Sequence, residues 1–215
     1  MLYHVSEKPG LKVLRPHASS HGRAYVYAVD DLVTGLLFGA GHDDFDLYLS
    51  NDAAGVPTVR ECWPGAFQKV YQGKRCSVYE VDEAGFQRGV TSWDPELVHE
   101  GEVAVERETV VDDLYRRLLE EEKRGTLTIL RYEHTDEYRR VIAGHVVDRL
   151  IRFDVDLDTC METDSRFAAH FRGLLADPGP DEASLFLRGV VVLLFLADAI
   201  VYLVRYRRAK RASEE

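Results

Sequence analysis

Residues 1–17, MLYHVSEKPGLKVLRPH, decide how the rest of the chain reads. Leu2 to Val5 form a short run of strand formers, and KVLRP (12–16) forms a second. Lys8, Pro9 and Gly10 supply turn chemistry between the two. The first run places a histidine, His4, between an aromatic residue and a loop. A histidine on a first strand either packs in the core or holds a ligand, and the local sequence leaves both readings open. PHASSHG (16–22) is a cluster of turn formers and reads as a loop.

Outward from this start, AYVYAV (24–29) is a strand that runs straight into DDLVTGLLFGA (30–40). Asp30 or Asp31 can cap a helix there, since Leu32, Leu36, Leu37 and Ala40 fall at helical spacing. GHDDFDLYLSNDAAGVP (41–57) reads as a loop with an aromatic-rich centre. KRCSVYEV (74–81) alternates Cys76, Val78 and Glu80 against Ser77, Tyr79 and Val81, as a strand half exposed to water does. GEVAVERETV (101–110) continues the β pattern. In VVDDLYRRLLEEEKRG (110–125), Val111, Leu114, Tyr115, Leu118 and Leu119 make one helical stripe, and Gly125 closes it. TLTILRYE (126–133) returns to extended structure. From 141 the pattern turns helical, with apolar stripes at Ile142, Val146, Leu150 and Phe153, then at Phe167, Phe171, Leu174 and Leu175. A break at PGPDE (178–182) precedes a long apolar helix. The expected architecture is an α+β domain over 1–140, followed by a helical extension over 141–215.

Charge and cysteine usage bound the function. The last eleven residues carry five basic and two acidic side chains, so the tail is +3 and the remainder −13 in a chain of net charge −10. A body that acidic repels a phosphate backbone, which argues against nucleic acid as a partner. Three cysteines, Cys62, Cys76 and Cys160, stand far apart with no C-x-x-C pair, the usage of a reducing compartment. No basic segment followed by an apolar run opens the chain, so no secretory signal is expected and a cytoplasmic location follows. LFLRGVVVLLFLADAIVYLV (185–204) has the length of a bilayer span. Asp198 inside it would cost about 2.5–3.5 kcal/mol on insertion. The basic tail would also place the body outside the cell. A buried helix is therefore expected, with a membrane anchor as the alternative.

Common catalytic signatures are missing. DVDLD (154–158) opens like a calcium loop, but the glycine and glutamate that such a loop needs are Thr159 and Ser165. HDDFD (42–46) reads as a solvated loop, and no metal is expected. Cys62 and Cys76 read as packing residues. Neither a G-x-S-x-G elbow nor a glycine-rich phosphate loop is present, which sets aside hydrolase, kinase and Rossmann readings.

Three pieces in order, LYHVS (2–6), AYVYAVDDLVTGLLF (24–38) and VAVERETV (103–110), resemble the His-Tyr-Glu type of the ADP-ribosyltransferase superfamily. The opening is also similar to uncharacterised bacterial proteins that begin LYHVSE. The resemblance spans roughly residues 1–135 and implies a split β-sandwich with flanking helices. It implies NAD as a substrate, with no metal, and a small nucleotide as the partner. His4 would hold a ribose hydroxyl, Tyr25 or Tyr27 would stack on nicotinamide with Phe38 nearby, and Glu108, with Glu106 beside it, would stabilise the transition state. The glycine that usually follows the family's histidine is Val5 here.

Those residue types suit that chemistry. Cleavage between nicotinamide and ribose passes through an oxocarbenium-like state, which a carboxylate stabilises. Two functions follow: transfer of ADP-ribose from NAD to an acceptor or to water, or a non-catalytic descendant that binds a nucleotide or a protein. Val5, and an alignment on Ala28 that sets Val26 where the family's tyrosine belongs, favour the second, and the ordered series of His4, tyrosine and Glu108 favours the first. A third reading, an RNA 2′-phosphotransferase, conflicts with the acidic body.

Overall fold

A computed structural model of the chain describes residues 1–18, 23–42, 45–91, 93–153, 157–163 and 165–176. The class is mixed α+β. In chain order the first elements are β1 (Leu2–Ser6), β2 (Val13–Leu14), β3 (His17–Ala18), β4 (Ala24–Val29) and α1 (Leu32–Leu37). Then come β5 (Leu47–Asn51), β6 (Pro57–Glu61), α2 (Ala66–Tyr71), β7 (Cys76–Val81), β8 (Gln87–Arg88) and β9 (Glu96–His99). The rest are β10 (Val103–Ala104), β11 (Arg107–Val111), α3 (Leu114–Arg124), β12 (Thr128–Leu130), α4 (Asp136–Arg152), α5 (Leu157–Thr163) and α6 (Ser165–Ala176).

Local chemistry explains the ends of two helices. Asp31, rather than Asp30, caps α1: its side chain accepts the Thr34 N–H at 2.6 Å. Asp113 caps α3 in the same way, accepting from Arg116 N–H at 2.9 Å, and Gly125 ends the helix in the left-handed region at φ 75°.

The main sheet runs β11-β7-β1-β4-β9-β8, with β3 paired to one end of β4. The pairs between neighbouring strands are antiparallel. On one face Leu2, Val26, Ala28, Tyr79, Val81 and Leu97 form a core with Leu14 of β2 and Val103 of β10, and Leu11, Phe86 and Val105 pack against it. The other face receives α1. A Cβ at Gly35 would stand 3.2 Å from the Val29 and Val5 Cγ2 atoms, a tight fit to which those methyls would have to yield. Gly39 approaches more tightly still, where a Cβ would meet Cys76 Sγ at 2.8 Å. A second sheet, β12-β6-β5, pairs β12 parallel and β5 antiparallel to β6.

Several expectations change. β7 is buried on both faces rather than half exposed, because Cys76 lies against the end of α1 at Gly39 while Tyr79 and Val81 join the core on the other side. The expected loop 41–57 contains β5, whose Leu47, Leu49 and Asn51 find partners in Glu61, Val59 and Pro57 of β6. The expected loop 16–22 begins with β3. Helix α4 starts at Asp136 instead of 141, capped by Thr135, whose Oγ1 accepts the Tyr138 N–H at 3.2 Å.

Two compact units divide the chain. One is Met1–His134 with Gly144–Val155, and the other takes Thr135–Ala143 and the residues from Asp156 onward. Within the second, Phe167 and Phe171 are buried one turn apart with ring centroids 4.9 Å apart. Among the described residues no helix is long and apolar enough to cross a membrane. Segment 185–204, the break at 178–182 and Asp43, Asp44 and 154–156 of the two acidic runs lie outside the described residues.

Candidate functional site

The strand order brings His4 and Glu108 to one face of one row. His4 stands opposite Tyr79 across β1 and β7, and Tyr79 stands opposite Glu108 across β7 and β11. Residues directly opposite in an antiparallel pair point to the same face. Neighbouring strands are about 4.8 Å apart, so the Cα atoms of His4 and Glu108 lie about 10 Å apart with Tyr79 between them. Val78 and Thr109 point the other way.

His4 sits where the sheet divides. Among the described residues the register of β1 with β4 holds one pair, Tyr3 with Val29, whereas β1 follows β7 along its whole length. Just past that pair the His4 ring turns toward β4 and its Nδ1 donates to the Tyr27 carbonyl at 2.8 Å. A carbonyl oxygen only accepts, so Nδ1 carries the proton. Burial holds the imidazole below its ordinary pKa and His17 adds repulsion, while the bond to Tyr27 opposes them. A neutral ring protonated at Nδ1 leaves the Nε2 lone pair free to accept a hydrogen bond from a ligand. The His4 and Tyr79 rings are 6.2 Å apart, tilted by 35°.

Glu108 is an ionised carboxylate held by hydrogen bonds. Its Oε1 accepts from Gly10 N–H at 2.8 Å and from Ser77 Oγ at 2.8 Å, and the Tyr79 hydroxyl lies 3.3 Å away. The Gly10 bond, then the Ser77 bond, hold the carboxyl below the ordinary carboxylate range against desolvation, with a smaller pull from nearby Lys12. Glu106 precedes β11, is exposed, and gives its N–H to the Glu80 carbonyl at 2.9 Å.

The tyrosines do not join this row. Tyr25 and Tyr27 alternate with the core residues Val26 and Ala28 and therefore belong to the opposite face. Their rings meet edge to face at 6.0 Å, and His17 stands 5.5 Å from the Tyr27 ring. What Tyr27 offers His4 is its backbone carbonyl, a group that any residue at this position would supply. Phe38 also stands apart: it ends α1, is 42% exposed, and contacts the His42 ring at 6.0 Å and the Trp93 ring at 5.3 Å.

Three residues of the row have no counterpart among the sequence candidates: Gly10, Ser77 and Tyr79. Their signal was the alternation of KRCSVYEV, which sets Ser77, Tyr79 and Val81 on one face without saying which strands flank them. Glu61, a buried carboxylate, has a structural duty. It accepts from Phe67 N–H and Tyr132 N–H, each at 2.9 Å, and ties the start of α2 to the segment after β12. No protein-family model, curated protein or solved structure matches this chain.

Proposed function

We propose that the chain cleaves the bond between nicotinamide and ribose in NAD and passes ADP-ribose to an acceptor or to water, on an ADP-ribosyltransferase-like split β-sandwich. The observation that carries this reading is the row His4–Tyr79–Glu108 on one sheet face, beside the point where β1 parts from β4. In this reading Glu108, ionised and on the rim of the row, faces the positive charge that develops on the ribose ring. The neutral His4 Nε2 accepts a ribose hydroxyl, and Tyr79 forms the floor between the two. Glu106 stands next to Glu108 and contributes less.

A non-catalytic nucleotide- or protein-binding module is the second reading. It is supported by the placement of Tyr25 and Tyr27 on the opposite face and by the Gly10 N–H that already occupies Glu108 Oε1. Calorimetric titration with NAD and with ADP-ribose, together with an assay for released nicotinamide, separates the two. Catalysis predicts heat with both ligands and nicotinamide release that falls by on the order of a hundredfold in Glu108→Gln while NAD binding persists. Glu106→Gln retains more activity. Heat without nicotinamide release supports the binding module, and no heat with either ligand removes the nucleotide site from both readings.

A further inference from the structure

The turn between β1 and β2 lies on the same row. Gly10 gives its N–H to Glu108 Oε1 at 2.8 Å, and Leu11 gives its N–H to the Tyr79 hydroxyl at 3.2 Å. That hydroxyl donates to the Lys8 carbonyl at 2.5 Å. Tyrosine has one hydroxyl proton. With the proton on Lys8, Tyr79 has none to give Glu108, although Oε1 is only 3.3 Å away.

We infer that Lys8–Gly10 is a strap that closes over Glu108, hinged at Leu11 on the core, and that its release uncovers the carboxylate while the Tyr79 hydroxyl turns from Lys8 to Glu108. The inference rests on the reading of Glu108 as the carboxylate that meets the ligand. In the closed state the Gly10 backbone stands against Oε1 and takes the place where a ribose hydroxyl or a developing cation would approach. In the open state the Tyr79 O–H replaces the Gly10 N–H, so the carboxylate keeps its hydrogen bonds while the space above it clears.

The strap has the makings of a two-state element. Lys8, Pro9 and Gly10 are exposed, and Leu11 stays packed on the core, so opening sacrifices little apolar burial. Both flanks are fixed independently of the row. Glu7 accepts the Gly41 N–H at 2.9 Å and pairs with Lys74 at 3.6 Å. The Lys12 carbonyl accepts the Val105 N–H at 3.0 Å. Motion is thereby confined to the few residues in between, and the groups that lose partners there are replaced by water.

Gly10→Ala tests the strap with the least disturbance elsewhere. Gly10 lies at φ +77°, and an added Cβ meets nothing within 4 Å, so the substitution strains the closed turn without a clash and leaves every row side chain in place. The open population should rise about fivefold. Three rates are measured on the full chain: hydrogen exchange at the Gly10 amide, carbodiimide-driven amine labelling of Glu108 with exposed Glu106 as internal reference, and nicotinamide release from NAD. All three rise about fivefold in Gly10→Ala relative to wild type. Tyr79→Phe, the second variant, raises exchange and labelling but lowers nicotinamide release, because the open carboxylate has lost its replacement donor. Unchanged exchange and labelling in both variants overturn the strap. Faster labelling of Gly10→Ala without faster nicotinamide release overturns the claim that the strap obstructs the site. No nicotinamide release from wild type or Gly10→Ala overturns the catalytic reading instead, and exchange and labelling then decide the strap alone.

Discussion

His4→Ala should destabilise the fold by an amount that depends on pH in a specific direction. The substitution removes the Nδ1 donor from the Tyr27 carbonyl, now bonded at 2.8 Å, at the place where β1 and β4 part. An acceptor left without its partner costs about 1–3 kcal/mol, and loss of the ring's packing adds about 1 kcal/mol, for a total of about 2–4 kcal/mol near pH 7.5. The sign of the pH dependence follows from the depressed pKa. The unfolded chain protonates His4 near its ordinary value of 6.5, and the folded chain protonates it only at lower pH. As the pH falls below 6.5 the unfolded state therefore binds the extra proton, and wild type loses stability at no more than about 1.4 kcal/mol per pH unit, until the folded pKa is passed. The alanine variant has no such loss. Every other titrating group is common to both proteins, so the difference between them isolates His4. Urea unfolding followed by circular dichroism and tryptophan fluorescence, at intervals from pH 7.5 to 5.5, should give two stabilities that converge toward acid. A gap that stays constant or widens as pH falls would refute the buried neutral histidine, because it would mean that His4 gains its proton in the fold as easily as in the unfolded chain.

Three further outcomes follow from packing and charge. Glu61→Gln places an amide N–H against backbone donors that now meet Oε1 or Oε2, from Phe67 and Tyr132 at 2.9 Å and Gly65 at 3.4 Å, and should cost about 2–3 kcal/mol in urea unfolding. An unchanged midpoint would mean that the carboxylate is replaceable there. Gly39→Ala drives a Cβ to 2.8 Å from Cys76 Sγ and 2.9 Å from Leu114 Cδ2, and should cost about 1–3 kcal/mol. Adding Cys76→Ala should recover part of that loss, and strict additivity of the two changes would argue against the contact. Burial, with Glu7 nearby, pushes the Cys76 thiol up to about 11. In native protein at pH 7.5 it should stay unlabelled by a thiol reagent while the half-buried Cys160 reacts, as peptide mass mapping would report. Rapid native labelling of Cys76 would contradict its environment.

The sequence by itself determined the elements whose signals are local. A cap at Asp30 or Asp31, Gly125 as a stop, and the apolar stripe of α3 are legible within a few residues, because helix bonds close within four positions. AYVYAV and KRCSVYEV were legible as strands for the same reason: a period of two is written along the chain. Partner choice is not written there. Leu47–Asn51 became a strand because Pro57–Glu61 lies beside it, and Cys76–Val81 lost its water-facing side because the end of α1 covers one face and the core around Leu14 and Val103 the other. The candidate site divides along this line. His4 and Glu108 could be nominated one at a time from residue type and order, but only tertiary pairing of β1 and β11 with opposite edges of β7 sets them in one row. The same pairing leaves Tyr25 and Tyr27 on the other face, since alternation fixes which residues of a strand agree and the sheet alone decides which strands they agree with.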